Sequence, residues 1–206
     1  MGREPYRLLC KAARWAAGTD WDGDQVSSSD WVSSSAPYVV PRAKGEGDAW
    51  QDEAAARGGV GTQRIVLAGE VPAPPEVAAL LAVEDDADVV VRQRVIYLDD
   101  QPTELTDTYF PVDVARGTRL EGTAKIRGGA VTLLAELGYS AHRVREEVSA
   151  RMPTEAERRV LGLTDTEPVL CMTRVTLDAA GRPFQVDASV FPASGQRLRY
   201  ELEPRI

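Results

Sequence analysis

The residues best suited to chemistry lie in one stretch, from Val89 to Pro111, where two arginines alternate along a predicted strand. The β-branched and aromatic residues around them favour a β-strand, and residues 98–102 supply a turn into a second strand. Because side chains alternate between the faces of a strand, Arg92 and Arg94 share one face. Their planar guanidinium groups are suited to two-point binding of a carboxylate or a phosphate.

The return strand carries complementary groups. Glu104, Thr106 and Thr108 occupy alternate positions and therefore share a face. If the turn places even-numbered residues opposite even-numbered ones, both arginines, one carboxylate and two hydroxyls line one surface. Such a surface suits a small anionic, hydroxylated ligand, with Glu104 accepting from a hydroxyl or an amine. The alternative is an arginine pair on the solvent side of a half-exposed antiparallel sheet, which the spacing leaves open.

Composition limits the class of protein. The 206 residues, 43% of them hydrophobic, suffice for one domain with a full core and a tail. A net charge of −8 argues against sequence-independent nucleic-acid binding. No apolar run is long enough to span a membrane, so we expect a cytoplasmic protein without a membrane partner. Two distant cysteines and the single His142 predict neither a disulfide framework nor a metal site, and we expect no cofactor.

The chain divides into two parts by pattern. Residues 1–61 hold all four tryptophans and two serine clusters, and are predicted to form a partly ordered arm with short helices near residues 5–17 and 48–57. Residues 62–206 alternate strands and short helices and are predicted to form a ligand-binding domain. Its helices are expected after Pro74-Pro75, at residues 130–137 and after Thr154, and the segment RLRYELE is expected to close the sheet.

An internal repeat relates the two halves of this domain. A shift of 80 residues superimposes residues 80–95 on residues 160–175, and one extra residue in the second turn extends the match. Two helix–hairpin units in one antiparallel sheet are therefore predicted. The first half is the better candidate site, because only it keeps both arginines and the glutamate. The corresponding pairs are Arg94 with Arg174, Glu104 with Gln185 and Thr108 with Ser189.

The motifs taken together resemble a known family. An apolar helix before R-x-R-V, a D-D-x-P turn, a glutamate two residues after the proline, a G-G helix ending in Leu-Gly-Tyr and a second hairpin with D-x-x-G-R-P are similar to the UTRA domain. That domain is the effector-binding half of HutC-type GntR-family transcription regulators. The resemblance covers about Thr62 to the C-terminus. It implies a chorismate-lyase-like α+β fold, an antiparallel sheet with flanking helices, usually in a dimer.

The resemblance also implies a site and a role. A small anionic metabolite would bind and change how a linked winged helix-turn-helix holds its operator, so DNA is involved only indirectly. Arg92 and Arg94 match the family's anion-binding pair, and Glu104 matches its hydroxyl or amine acceptor. Gly129 stands where phosphosugar-binding members often have a serine, which puts a phosphosugar in doubt. The implied ligand-binding set is Arg92, Arg94, Glu104, Thr106, Gly129, Ala130, Arg174 and Gln185.

Three functions follow from these patterns. The first is a non-catalytic effector sensor. The second is a ligand-independent module that forms heterodimers with full-length regulators, an idea favoured because the residues before Thr62 do not resemble a winged helix-turn-helix. The third is an enzyme of the chorismate-lyase type, which is disfavoured because the sequence offers no convincing nucleophile or acid–base pair. We therefore expect that the protein is not an enzyme. We also expect it to form a dimer, either a homodimer or a heterodimer with a regulator.

Overall fold

The structure is a computed structural model that describes residues 31–43 and 47–201. The predicted helix near residues 5–17 lies outside the described residues. The described strands are β1 (Trp31–Ser33), β2 (Gly61–Pro72), β3 (Asp88–Leu98), β4 (Gln101–Pro111), β5 (Arg143–Arg151), β6 (Val169–Leu177), β7 (Pro183–Pro192) and β8 (Gln196–Leu198). The α-helices are α1 (Ala49–Ala56), α2 (Pro75–Leu81), α3 (Val112–Ala115), α4 (Gly129–Glu136) and α5 (Glu155–Leu161), with short 3-10 helices at Ala36–Tyr38 and Arg119–Glu121.

One six-stranded antiparallel sheet forms the centre of the fold, with the strand order β2-β3-β4-β7-β6-β5. The sheet is pseudo-symmetric: β2, β3 and β4 follow one another inward from one edge, and β5, β6 and β7 follow one another inward from the other edge. The two hairpins therefore meet along β4 and β7, where Thr106 pairs with Ser189 and Thr108 with Asp187. This arrangement confirms the predicted α+β class and the prediction of two helix–hairpin units in one sheet.

The register of the first hairpin meets the condition under which the two arginines, the glutamate and the hydroxyls share a surface. Arg92 lies opposite Thr108, and Arg94 lies opposite Thr106. Asp99 and Asp100 form the turn with φ values of +48° and +64°, the left-handed region that aspartate tolerates better than most residues. The turn itself pairs Leu98 with Gln101, and a register shift between Ile96 and Tyr97 then brings even-numbered residues of β3 and β4 opposite each other, so that they share one face of the sheet.

Two apolar clusters pack on the two faces of the sheet. On one face, α2 contributes Val77, Ala78 and Leu81 against buried residues such as Val91 and Val186. On the other face, a second cluster joins Val90 and Phe110 of the sheet to α3, the 3-10 helix at 119–121 and α4. Burial of these side chains supplies the main stabilisation of the sheet against its helices.

Helix ends follow local sequence signals. Asp48 caps α1 by accepting from the backbone N–H of Gln51 at 2.9 Å. Thr154 and Glu157 form a reciprocal capping box at the start of α5. No helix in the described part of the chain is long and apolar enough to cross a membrane.

The prediction for the C-terminal segment was wrong. The segment RLRYELE, residues 197–203, was expected to close the main sheet, but of its described residues, 197–201, the strand β8 includes only Arg197 and Leu198. That strand pairs in parallel with β1 as a separate two-stranded sheet. Residues 202–206 are outside the described residues. The partner strand β1 lies in the serine-rich region, where the sequence pattern predicts loop, so the pairing had no signal in the local sequence.

Candidate functional site

A cavity of about 370 Å³ lies against the face of the sheet that carries the even-numbered residues of β3 and β4. Side chains of β3, β4, β6 and β7 form its floor. Residues 34–42, α1, the start of α4 and β8 form its cover. The polar part of the lining includes Tyr38, Arg92, Arg94, Glu104, Thr106, Thr108, Arg174, Gln185, Asp187 and Ser189. Of the predicted site residues, all eight line this cavity.

The strand register sets these side chains in rows across the sheet. Thr108 pairs with Arg92 on one side and with Asp187 on the other, and Asp187 in turn pairs with Arg174. Glu146 on the edge strand β5 pairs with Arg174 and ends the row. Cross-strand neighbours in such a row lie close enough for direct hydrogen bonds and ion pairs.

Arg92 is a buried arginine that holds a loop. Only 5% of its surface is exposed, so the interpretation that both arginines lie on a solvent-facing side of the sheet is wrong. Its Nη1 donates to the carbonyl oxygens of Arg119 and Leu120 at 3.1 Å and to that of Gly122, and its Nη2 donates to that of Ala124 at 3.3 Å. Burial, together with the nearby charge of Arg94, lowers the pKa of Arg92 to about 10.

Arg94 is in the opposite situation. Its Nη2 donates to Thr108 Oγ1 at 2.9 Å, which fixes the guanidinium over the cavity floor. Its Nε is buried and has no hydrogen-bond partner within the described residues. A buried donor without a partner costs free energy, commonly about 1–3 kcal/mol, unless a ligand or a water accepts from it.

Two carboxylates face these arginines. Glu104 accepts from the hydroxyl of Thr106, which also lies 3.0 Å from Ser189 Oγ. Burial raises the pKa of Glu104, although the hydroxyls of Thr106 and Ser189 and two nearby arginines oppose the rise. Asp187 is 5% exposed, and its oxygens accept from Thr108 Oγ1 and Gln185 Nε2, each at 2.7 Å.

Asp187 was missing from the residues predicted from the sequence. The sequence predicted Gln185 as a ligand contact on this strand, and its side-chain amide donates a hydrogen bond to Asp187. The internal repeat carried the relevant signal, because the same shift that matches Glu104 with Gln185 matches Thr106 with Asp187.

Arg174 is already neutralised within the protein. Its Nε donates to Glu146 Oε1 at 2.6 Å, and its Nη2 donates to Ser35 Oγ at 3.0 Å. Although burial opposes the effect, hydrogen bonds from Ser35 and Arg174 hold the pKa of Glu146 below its usual value. The two repeat-related arginines thus differ: Arg174 has an acidic partner, whereas the hydrogen-bond partner of Arg94 within the described part of the chain is the Thr108 hydroxyl.

Gly129 and Ala130 lie where α4 meets the cavity. Gly128 and Gly129 have φ values of +76° and +80°, and a Cβ on Gly128 would come within 3.1 Å of the Thr132 side chain. Two consecutive left-handed residues explain the Gly-Gly pair at this helix start. The Thr132 hydroxyl also accepts from the backbone N–H of Arg42 at 3.1 Å, so the covering segment rests on the first turn of α4.

Part of the cover comes from residues before position 62, to which the sequence assigned no site residue. The hydroxyl of Tyr38 donates to Glu53, and burial raises the pKa of Tyr38 well above its usual value. Trp50 of α1 lines the cavity and donates its Nε1–H to the carbonyl of Tyr97 at 2.9 Å. The only sequence signal for these contacts was the concentration of aromatic residues in a polar stretch.

Replacing Gly61 with alanine is expected to lower the free energy of unfolding by about 1–3 kcal/mol, because a Cβ there would lie 2.8 Å from the Trp50 carbonyl oxygen and 2.9 Å from the Ala54 Cβ. Urea denaturation measures the change. Gly195→Ala is the matched control, since nothing lies within 4 Å of the position that the alanine Cβ would occupy. Equal midpoints for the two variants would show that α1 does not pack tightly against β2.

Comparison with known proteins identifies the family. Residues 56–196 match the family model described as the UTRA domain. The chain belongs to the UTRA domain family. It is 29% identical over 143 residues to GgaR, an HTH-type transcriptional regulator of Escherichia coli, and 33% identical over 115 residues to an uncharacterized HTH-type transcriptional regulator of Streptomyces coelicolor.

These alignments cover 62% of this chain and 54% of GgaR, and 54% of this chain and 42% of the Streptomyces protein. The chain thus spans about half the length of the curated relatives that it matches. It corresponds to the effector domain of a GntR-family transcription regulator, as the resemblance implied.

Solved structures confirm the UTRA fold. The ligand-binding domain of a putative GntR-family transcriptional regulator from Bordetella bronchiseptica has a TM-score of 0.63 and 25% identity, over 80% of this chain and 95% of that one. PhnF from Mycobacterium smegmatis has a TM-score of 0.68 and 19% identity, over 79% of this chain and 71% of that one. The antiparallel sheet with flanking helices is common to this group.

Proposed function

We propose that the cavity is the effector site of a HutC-type regulator and that it binds a small anionic metabolite without catalysing a reaction. The observation that carries the proposal is the buried Nε of Arg94, which points to an acceptor supplied from outside the described chain. A carboxylate or phosphate oxygen is the best such acceptor, because it also neutralises the guanidinium.

The shape and the lining of the cavity support a metabolite rather than a macromolecule. Its volume of about 370 Å³ falls in the range of small-molecule sites. Ile96, Leu98 and Phe191 supply apolar walls beside the charged groups, and residues 34–42 shield it from above. A few converging polar groups within an apolar wall are typical of selective metabolite sites.

A thermal-shift screen of the purified chain tests this function. The compounds are small carboxylic acids, hydroxy acids, amino acids and sugar phosphates, each paired with a neutral amide or alcohol of similar size. A ligand at about 100 times its Kd should stabilise the fold by about 2.7 kcal/mol and raise the midpoint by several degrees. The proposal fails if no acid raises the midpoint above its neutral partner.

We further propose that the effector domain is dimeric, either as a homodimer or in a heterodimer with a full-length regulator. We also propose that it acts in the cytoplasm and affects DNA binding only through a linked DNA-binding domain. The strand β5 supports the dimer, because it is an edge strand in which Val148 is 43% exposed, and Met152, directly after the strand, is 54% exposed. Sedimentation of the purified chain tests the homodimer, and a single species of 22.4 kDa would contradict it.

A further inference from the structure

The cavity holds both signs of charge, and three of its seven charged lining groups already have an ion-pair partner. Arg174 is paired with Glu146, Asp48 lies 3.5 Å from Lys125 Nζ, and Arg42 is paired with Asp52. Four charged groups remain without an ion pair among the described residues. They are Arg92, Arg94, Glu104 and Asp187.

These four groups are separated by sign across the cavity floor. The two cations come from β3, and the two carboxylates come from β4 and β7. The remaining charges sum to zero, since two guanidinium groups face two carboxylates. A dianionic ligand would therefore leave the enclosed site with excess negative charge, whereas a ligand with one charge of each sign would leave it neutral.

Glu104 is the carboxylate best placed to receive a cationic group. Among the described residues, the hydrogen bonds to Glu104 come from the hydroxyls of Thr106 and Ser189, and Arg94 and Arg174 act on it only through their charge. Asp187, by contrast, accepts from both Thr108 and Gln185 and is 5% exposed. A partly buried carboxylate whose hydrogen bonds come from hydroxyls gains most from an ammonium group, which brings three donors and a full charge.

We propose that the effector of this site is a small zwitterion, whose acidic group binds at Arg94 and whose protonated amine binds at Glu104. This inference rests on the proposed function and narrows its ligand class to compounds that carry one carboxylate or similar acid and one primary or secondary amine. The apolar walls at Ile96, Leu98 and Phe191 would hold the remaining part of the molecule.

Proton exchange gives the proposal a second, independent consequence. The groups that face Glu104 are Thr106 on its own strand, Ser189, Arg94, Arg174 and, from the cover, Tyr38. Because burial already raises the pKa of Glu104, an arriving ammonium group would lower it again and release a proton from the fraction of protein that is protonated. An acid without an amine would have the opposite effect and cause proton uptake.

Matched ligands test the proposal directly. The probes are α-amino acids that raise the unfolding midpoint, each with its α-hydroxy acid and its N-acetyl derivative. We expect the amino acid to bind more tightly than either derivative by about tenfold or more. Calorimetry in buffers of different ionisation enthalpy should show proton release on binding of the amino acid, and the release should grow as the pH falls and more of the Glu104 carboxyl is protonated.

The variant Glu104→Gln removes the charge and keeps the shape. It should bring the affinities for the amino acid and the hydroxy acid within about twofold of each other, while Glu147→Gln, an exposed glutamate of β5, should leave the preference intact. Unfolding midpoints without ligand establish that both variants fold.

The results separate this inference from the proposed function. An acid that binds equally well without its amine overturns the zwitterion and leaves the effector site standing. An amine preference that survives in Glu104→Gln also overturns it. A screen in which no acid binds overturns the inference and the proposed function together.

Discussion

Arg92→Ala is expected to lower the free energy of unfolding by about 2–4 kcal/mol, although Arg92 has no acidic partner within the described residues. The guanidinium donates to four carbonyl oxygens between residues 119 and 124. Alanine would leave the carbonyl of the buried Leu120 without this donor and create space beneath the loop. The loss is limited because Gly122 and Ala124 are exposed, so water can reach their carbonyls.

Urea or guanidinium denaturation at fixed m-value measures this loss. Arg145→Ala is the matched control, because Arg145 also lies on a strand but is exposed, and it should change the free energy of unfolding by less than about 0.5 kcal/mol. If Arg92→Ala were as stable as this control, the carbonyl contacts would not hold the loop. Arg92 would then again be a candidate for direct contact with the ligand.

Arg94→Ala should have the opposite profile, with a small effect on folding and a large effect on binding. Its one hydrogen bond goes to Thr108, which also donates to Asp187, and its Nε has no described partner. We expect the free energy of unfolding to change by less than about 1 kcal/mol. Affinity for the effector should fall by about 2–4 kcal/mol, or roughly 30-fold to 1000-fold, because the ligand's acid loses its cation in an enclosed site.

Calorimetric titration of the wild-type chain and the variant with the same ligand measures the fall. Arg94→Lys is an informative companion, since it keeps the charge but loses the planar fork, and we expect an affinity between those of the wild type and Arg94→Ala. Arg145→Ala serves again as the control and should bind like the wild type. Undiminished affinity in Arg94→Ala would place the acid elsewhere in the cavity.

The sequence was most informative where side-chain alternation and turn chemistry act locally. The period of two in β3 and β4 predicted which residues of each strand share a face, whereas the pairing of Arg94 with Thr106 also depends on a register shift between Ile96 and Tyr97 that the turn does not predict. The internal repeat predicted two units in one sheet, and the strand order shows their symmetric arrangement. These features depend on neighbouring residues, whose pattern is visible in one sequence.

Features that depend on distant irregular segments were not visible. The donors of Arg92 meet carbonyls of a loop about 30 residues away, and backbone acceptors leave no trace in side-chain pattern. Ser35 contacts Arg174 across 139 residues, and its polar surroundings predicted only loop. Both contacts changed the assignment of roles. Arg92 and Arg174, two of the three arginines predicted for the site, are engaged within the protein, whereas the Arg94 Nε has no hydrogen-bond partner among the described residues.

The most direct test of the effector site is an NMR titration that follows the ¹⁵Nε–¹H correlations of the arginine side chains. The ligand is the acid that gives the largest rise in midpoint, and Arg94→Lys assigns the Arg94 signal by its disappearance. The account predicts that the Arg94 Nε–H signal moves progressively to saturation, because that donor gains an acceptor, while the signal of the exposed Arg145 stays in place. A saturated protein in which the Arg94 signal is unmoved would contradict the account.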